Sequence, residues 1–427
     1  MKILYMVHQF LSQHIGGTEL YAYGLAHRAQ TRGDNVCILT HVDGQDSEPA
    51  NLHAAQFESI DVIELHSNYS RSPRPGRDEY ANSVNGELIA QILRQQRPDI
   101  VHIAHSMKLG AEGLRHCQTL GIPVVVTLCD YWFICPRHTL LRSDGKLCKG
   151  PTNIADCRRC QNDDHPEALF QLYARRWSLL STPLHRMLQR RDQAQRLPYL
   201  RERLLASQAI VALSEFTKQR FVEYGIAAER IQVLPHGLET LPDKAPVPPP
   251  EILHIVFIGS LAPHKGAHVL LEALHQQPEL PLRCTLYGNL ELGNAYQKHL
   301  QQLVQDDPRI SFAGQFPPKD IWRVLDSASV LALPSLWYEN EPLVVKAALQ
   351  RGVPVLTSAL GSLIEQVRDG IDGWLLPPGD APALGEVLTQ LAAQPARCRI
   401  TPVPDLGMDH HARQIFDLYK KVLADVR

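Results

Sequence analysis

The chain has 427 residues, 44% of them hydrophobic and 21% charged, which is enough for two ordinary globular domains. Its 43 Lys and Arg nearly cancel 45 Asp and Glu, so no overall field draws in nucleic acid, although 20 histidines add positive charge at acidic pH. The opening MKILYMVHQF has neither a small-residue cleavage site nor an apolar run long enough to span a bilayer, which predicts a cytoplasmic protein.

A short apolar run at 3–7 reads as a strand, followed by a polar, glycine-containing loop at 9–17. An amphipathic helix at 18–32 and a second strand at 36–40 complete a βαβ unit. Further apolar runs at 62–65, 100–104, 124–128 and 209–213 alternate with helical patterns, which predicts a parallel sheet covered on both faces. Residues 1–240 therefore read as one doubly wound, Rossmann-like domain. ETLPDKAPVPPPE, around 241–250, has the proline-rich and charged composition of a semi-rigid linker. Alternation then restarts, with strands at 252–258, 283–287, 310–312, 330–333 and 354–357, and helices at 267–275, 295–304, 319–325 and 342–350. Residues 251–407 form a second such domain in this reading, and an amphipathic helix in 408–427 has no strand after it and is free to pack back on the first domain. Two parallel sheets in tandem present their carboxyl ends as ligand edges, which places the expected site in an inter-domain cleft.

Three loops at those edges carry candidate chemistry. Gly16-Gly17-Thr18-Glu19 opens the first helix, where a glycine backbone lets a ligand approach and free N–H groups favour an anion; a plain turn is the competing reading. Gly259-Ser260-Leu261-Ala262-Pro263-His264-Lys265-Gly266 occupies the same place in the second domain. There the Lys265 ammonium and a helix dipole would act on one anion, and a diphosphate fits. Pro334 to Leu343, PSLWYENEPL, runs from a strand into a helix with Pro342 near its start. The Glu339 carboxylate there can accept hydrogen bonds from sugar hydroxyls, or it can cap the helix.

The order and spacing of GGTE, DIVHIAH, VALSEFTKQRFVEYGI with VLPHGLE, GSLAPHKG and PSLWYENEPLVVKAALQRGVPVLTS resemble family 4 glycosyltransferases over nearly the whole chain. The resemblance implies a GT-B fold of two Rossmann-like domains, a nucleotide-diphosphate sugar donor, retention of anomeric configuration and no catalytic metal. It implies transfer of a hexose-like sugar to a glycan or lipid-linked acceptor in surface polysaccharide or glycoconjugate biosynthesis. Carried over by position, Lys265 neutralises the diphosphate, with Gly17, Gly259 and Ser260 lining its approach. Glu339 contacts the transferred sugar, and Asn340 and Leu343 offer backbone donors. Glu19 and His105 are candidates for the acceptor side and Asp130 is grouped with Lys265 and Glu339 as catalytic; His102, His105 and Asp130 can stand in for the missing family residues there, the competing reading being satisfied polar residues at strand ends. Three positions depart from the family pattern: Ala347 stands where a second Glu is usual, Cys129 where a His precedes Asp130, and Ser260 where an Arg follows the glycine. These departures motivate an alternative, a catalytically impaired GT-B protein serving as a sugar-nucleotide binding or scaffold partner.

Cys135, Cys148, Cys157 and Cys160 crowd into one excursion, 130–165, rich in turn formers and poor in apolar residues. Four thiolates ending in C-x-x-C suit tetrahedral zinc, so a structural zinc is expected there, four reduced thiols being the competing reading. The region 169–203 is helical in pattern, with arginines beside Leu, Trp and Met. That surface suits peripheral contact with the inner face of a membrane, or simply a helix with a solvated basic face.

Overall fold

The computed structural model describes every residue except 12–13, 45–48, 69–73, 151–156, 158–159, 161–181, 240–250, 290–293, 395–397 and 427. The proline-rich linker at 241–250 thus lies outside the described residues. The chain divides into two compact units, one of Met1–His236 with Met408–Arg427 and one of Gly237–Gly407.

In the first unit, β1 (Lys2–Val7), α1 (Gly17–Thr31) and β2 (Asn35–Asp43) form the βαβ start; β3 (Asn51–Phe57), β4 (Ile60–Ser67), α2 (Pro75–Asp78), α3 (Ser83–Gln96) and β5 (Ile100–Ile103) follow. Then come α4 (Glu112–Thr119), β6 (Val124–Leu128), α5 (Thr182–Leu205), β7 (Ala209–Ala212), α6 (Glu215–Glu223) and β8 (Ile231–Val233). The eight-stranded sheet runs β3-β4-β2-β1-β5-β6-β7-β8, parallel except for the antiparallel β3–β4 pair. Central strands are buried from end to end, which is why they read as continuous apolar runs: β6 is VVVTL and buried at all five positions. β3 is the reverse case. NLHAAQF is half-buried or exposed throughout, an edge strand whose side chains carry no apolar alternation, and the sequence pattern misses it.

The second unit contains β9 (Leu253–Ile258), α7 (Ala267–His275), β10 (Leu282–Tyr287), α8 (Ala295–Val304), β11 (Ile310–Gly314), α9 (Ile321–Asp326) and β12 (Val330–Leu333). It continues through α10 (Leu343–Gln350), β13 (Val355–Ser358), α11 (Leu363–Gln366), β14 (Gly373–Leu376) and α12 (Ala381–Ala393). Its six strands are all parallel in the order β11-β10-β9-β12-β13-β14. β14 is a strand beyond the pattern read from sequence, four residues long and too short to show a period.

The last helix, α13 (Gly407–Val426), belongs with the first unit from Met408 on. Arg28 Nε donates to Asp409 at 2.5 Å, and the Arg32 guanidinium lies 3.8 Å from the Phe416 ring centroid. Below them Tyr419 Oη meets His102 Nδ1 at 2.5 Å, while His102 Nε2 and Tyr21 Oη each meet Thr127 Oγ1 at 2.8 Å. His102 is therefore satisfied on both ring nitrogens inside the core, fully buried beneath α13.

Burial holds His102 neutral, with its pKa lowered to about 3, and burial likewise lowers His41 to about 4. Unfolded, each would titrate near 6.5. As pH falls below 6.5 the unfolded chain takes up protons that the folded chain refuses, so stability present at neutral pH is lost progressively toward the folded values. At about 1.4 kcal/mol per pH unit per group, each histidine removes roughly 2 kcal/mol by about pH 5. Thermal melts should show a fall in melting temperature between pH 7.5 and 5. An unchanged value would contradict the buried neutral state.

Candidate functional site

At the carboxyl edge of the second sheet, β9 ends in the loop Gly259 to Ala262, followed by one 3-10 turn, Pro263–Lys265, and then α7. Gly266 joins turn to helix in the left-handed region, φ 74°, and a Cβ there would lie 1.9 Å from the Pro334 carbonyl oxygen. Only a glycine lets this loop sit against the one that follows β12. The Leu336 N–H donates to the His264 carbonyl at 2.8 Å and locks the two loops together.

That contact brings Lys265 to Glu339. Lys265 Nζ donates to both carboxylate oxygens, at 2.8 and 3.0 Å, Ser335 Oγ donates to Oε1 at 2.5 Å, and Ser362 Oγ donates to the Glu339 carbonyl at 2.7 Å. The ammonium also lies 4.9 Å from the Trp337 ring centroid. Burial pushes the Glu339 carboxyl up, but the adjacent ammonium and its hydrogen bonds outweigh that and hold it below the usual carboxylate range. The carboxylate is 3% exposed and Lys265 is half-buried, so a charged pair stands at a sheet edge with its cation reachable. Gly259 is half-buried and Ser260 exposed. Asn340 is buried beside Glu339, and Leu343 opens α10, where first-turn N–H groups have no acceptor within the helix. Lys265, Glu339, Asn340 and Leu343 are thus gathered on two locked loops, a cation and helix amides next to a carboxylate.

The first sheet has its own edge group. Gly17 is the first residue of α1, and a Cβ on it would meet nothing within 4 Å, so open space lies beside it. Glu19 is 2% exposed, and burial raises its carboxyl pKa. Asp130, two residues beyond β6, accepts from His105 Nε2 at 2.7 Å and from the Trp132 N–H at 2.8 Å. Burial alone would raise Asp130, yet His105 and these hydrogen bonds bring its pKa to about 2, an ionised carboxylate. His105 Nδ1 accepts from the Met107 N–H at 3.1 Å. Both ring nitrogens are therefore spoken for, and His105 positions Asp130 rather than acting as a base. Sequence reasoning missed His8, the residue after β1, whose ring centroid lies 4.3 Å from that of His105 and whose Nε2 lies 3.7 Å from Glu19 Oε1. The signal was its place at a strand's carboxyl end.

Residues 15–240 match the model of Glycosyltransferase Family 4, and residues 243–401 match that of Glycosyl transferases group 1. The chain belongs to glycosyltransferase family 4. Among relatives, the amylovoran biosynthesis glycosyltransferase of Erwinia amylovora is 29% identical over 44% of this chain and 48% of its own length. A putative colanic acid biosynthesis glycosyltransferase of Escherichia coli is 28% identical over 42% of this chain and 46% of its own. The chain thus spans about half the length of these two. The D-inositol 3-phosphate glycosyltransferase of a Nocardioides species is 28% identical over 96% of this chain and 86% of its own length. Of solved structures, Anabaena HepE in complex with UDP and glucose aligns over 99% of this chain and 100% of its own, with TM-score 0.65 at 17% identity. Sucrose-phosphate synthase from Thermosynechococcus elongatus gives 0.66 at 17%, over 99% of each chain. These likenesses carry the fold, two Rossmann-like α/β domains of GT-B type, as the sequence motifs led us to expect.

One departure read from the sequence of this family 4 chain is now placed, and one expectation is not supported. Ala347, where a second Glu is usual, is 3% exposed and part of the second unit's core, so α10 turns an apolar contact there instead of a carboxylate. The zinc expectation is not supported: among the described residues no group of three or more His, Cys, Asp and Glu is placed to hold a metal. Cys135 is buried, and burial pushes its thiol up to about 11. Cys148 Sγ points to the Gly150 carbonyl at 3.5 Å, and Cys160 Sγ accepts the Ser143 N–H at 3.3 Å. C-x-x-C spacing fixes local reach only. Cys157 is half-buried, and most of the surrounding 151–181 segment lies outside the described residues. So do residues 169–181 of the basic stretch, while the rest of it lies in α5. Among the described residues no helix is long and apolar enough to cross a membrane.

Proposed function

We propose that the chain is a retaining glycosyltransferase that takes a sugar from a nucleoside-diphosphate donor held by its second unit. It passes that sugar to a hydroxyl of a glycan or lipid-linked acceptor served by the first unit, in the synthesis of a surface polysaccharide or related glycoconjugate. The observation that carries this reading is the Lys265–Glu339 pair on the loop locked by Gly266. A diphosphate needs a cation and backbone N–H donors, and a sugar hydroxyl needs a fixed carboxylate; Lys265, the start of α10 and Glu339 offer these on two locked loops.

In this reading the acceptor oxygen attacks the anomeric carbon on the face the leaving group departs from. The bond from that carbon to the phosphate oxygen breaks, its electron pair leaves with the nucleoside diphosphate, and the acceptor's proton passes to that phosphate oxygen. Lys265 and the amides of Asn340 and Leu343 stabilise the charge that grows on the diphosphate, while Glu339 orients the sugar. UDP and UDP-glucose are the first donors to try, because HepE was solved with both.

A screen of nucleotide sugars for thermal stabilisation and for release of nucleoside diphosphate tests the reading. One donor that stabilises and is turned over supports it; a folded protein that neither binds nor cleaves any of them overturns it. With that donor, Glu339→Gln should keep the melting temperature within a few degrees while turnover drops about ten- to hundredfold, since the shape stays and the charge is lost. Turnover at the wild-type rate would remove Glu339 from the reaction.

A further inference from the structure

The first unit carries a cavity of about 480 Å³ between the end of α2 and the face of α5 that holds Arg191, Ala194 and Pro198, a volume within the range of about 300–1,000 Å³ found for small-molecule sites. Two tyrosines also line it. Tyr80 is 2% exposed and Tyr199 half-buried, with ring centroids 5.6 Å apart. Tyr80 Oη donates to the Asp192 carbonyl at 2.8 Å, and Tyr199 Oη donates to Glu112 Oε1. Their hydroxyls are thus spent inside the fold, and what they can give a ligand is ring surface.

The charge around the cavity is not balanced. Arg74 pairs with Asp192, Arg196 with Glu79, and Arg203 with Glu202, whose carboxylate belongs to the cavity wall. Arg77 and Arg191 line the same cavity, are exposed, and form no ion pair among the described residues. The uncompensated charge is therefore positive, and the fork of a guanidinium matches the oxygens of a phosphate. The helix adds an acceptor. Pro198 stands inside α5 and has no N–H, so the Ala194 carbonyl one turn earlier loses its helical donor at the cavity that both residues line.

We propose that this cavity binds a phosphorylated sugar. Arg77 and Arg191 hold the phosphate, a ring hydroxyl donates to the Ala194 carbonyl, and the C–H face of the ring rests on Tyr80 and Tyr199. A phosphate without hydroxyls leaves the carbonyl unpaired, and an uncharged sugar makes no use of the two guanidiniums. A flat anionic membrane reaches exposed arginines but not a floor as buried as Tyr80. The cavity lies wholly in the first unit, apart from the Lys265–Glu339 cluster of the second, so the proposal does not rest on the transferase reading.

Calorimetric titration of the full chain with hexose 1-phosphates, hexose 6-phosphates, methyl hexosides and inorganic phosphate tests this, beside co-sedimentation with phosphatidylglycerol vesicles. At least one hexose phosphate should bind, with its methyl hexoside and inorganic phosphate at least about tenfold weaker. Arg77→Gln and Arg191→Gln should each lower that affinity about fivefold and together at least about twentyfold, with melting temperatures close to wild type because both side chains are exposed. Pro198→Ala returns an N–H to the Ala194 carbonyl, so it should raise the melting temperature while lowering affinity about fivefold. Lys265→Ala should leave hexose phosphate affinity unchanged. Four results would each overturn the proposal: no hexose phosphate bound, inorganic phosphate bound as tightly, anionic vesicles bound alone, or binding lost in Lys265→Ala and kept in the double arginine variant. Unchanged affinity in Pro198→Ala would overturn the contact with the carbonyl.

Discussion

Lys265→Ala is expected to lower nucleoside-diphosphate affinity about ten- to hundredfold, because the diphosphate loses a charge-assisted partner contributing roughly 1.5–3 kcal/mol. The same substitution should also lower stability, for a separate reason. Lys265 gives two hydrogen bonds to a carboxylate that is 3% exposed, and removing one partner of a buried pair leaves an uncompensated charge at a cost of about 3–5 kcal/mol. Lys265 is itself half-buried, which puts the expected loss at the lower end of that range. The two effects part company in a double variant. Lys265→Met with Glu339→Gln removes both charges, so the melting temperature should return most of the way to wild type while affinity stays lost. Calorimetric titration and thermal melts on the three proteins decide it: unchanged affinity in Lys265→Ala would take the lysine out of the site, and a double variant no more stable than the single would deny the buried pair.

Gly266→Ala is expected to damage folding and binding together. Its φ of 74° costs an L-residue about 1–2 kcal/mol, and the new methyl would lie 1.9 Å from the Pro334 carbonyl oxygen, a backbone atom that cannot swing aside. Relief requires the loops after β9 and β12 to move apart, which breaks the bond from Leu336 N–H to the His264 carbonyl and draws Glu339 away from Lys265. Urea unfolding should show a loss of about 2–4 kcal/mol, and nucleoside-diphosphate affinity should fall at least as far as in Lys265→Ala. Wild-type stability in this variant would mean that the close approach is not required.

The doubly wound pattern was legible because buried parallel strands are apolar on both faces. β9, LHIVFI, is buried at all six positions and could be read directly. β3 could not, because an exposed edge strand needs no apolar residues. The loops at strand ends were legible as places and not as contacts. Lys265 and Glu339 stand 74 positions apart, and their pairing follows from Gly266 meeting Pro334, which no local pattern encodes. His8 was hidden for the same reason, since its partners His105, Asp130 and Glu19 come from three other elements. The cysteine spacing pointed the other way: four thiols near in sequence are not brought into a group placed to hold a metal among the described residues, because spacing along the chain does not fix convergence in space.

The central claim is that a nucleoside diphosphate binds on the loops around Lys265 and Glu339. Hydrogen–deuterium exchange of the full chain with and without UDP, ADP and GDP at millimolar concentration tests it most directly. The account predicts that at least one of them slows exchange of the backbone amides at 259–267 and 338–345, and that Lys265→Ala abolishes this protection. Protection confined to other segments, or none with any of the three, would contradict it.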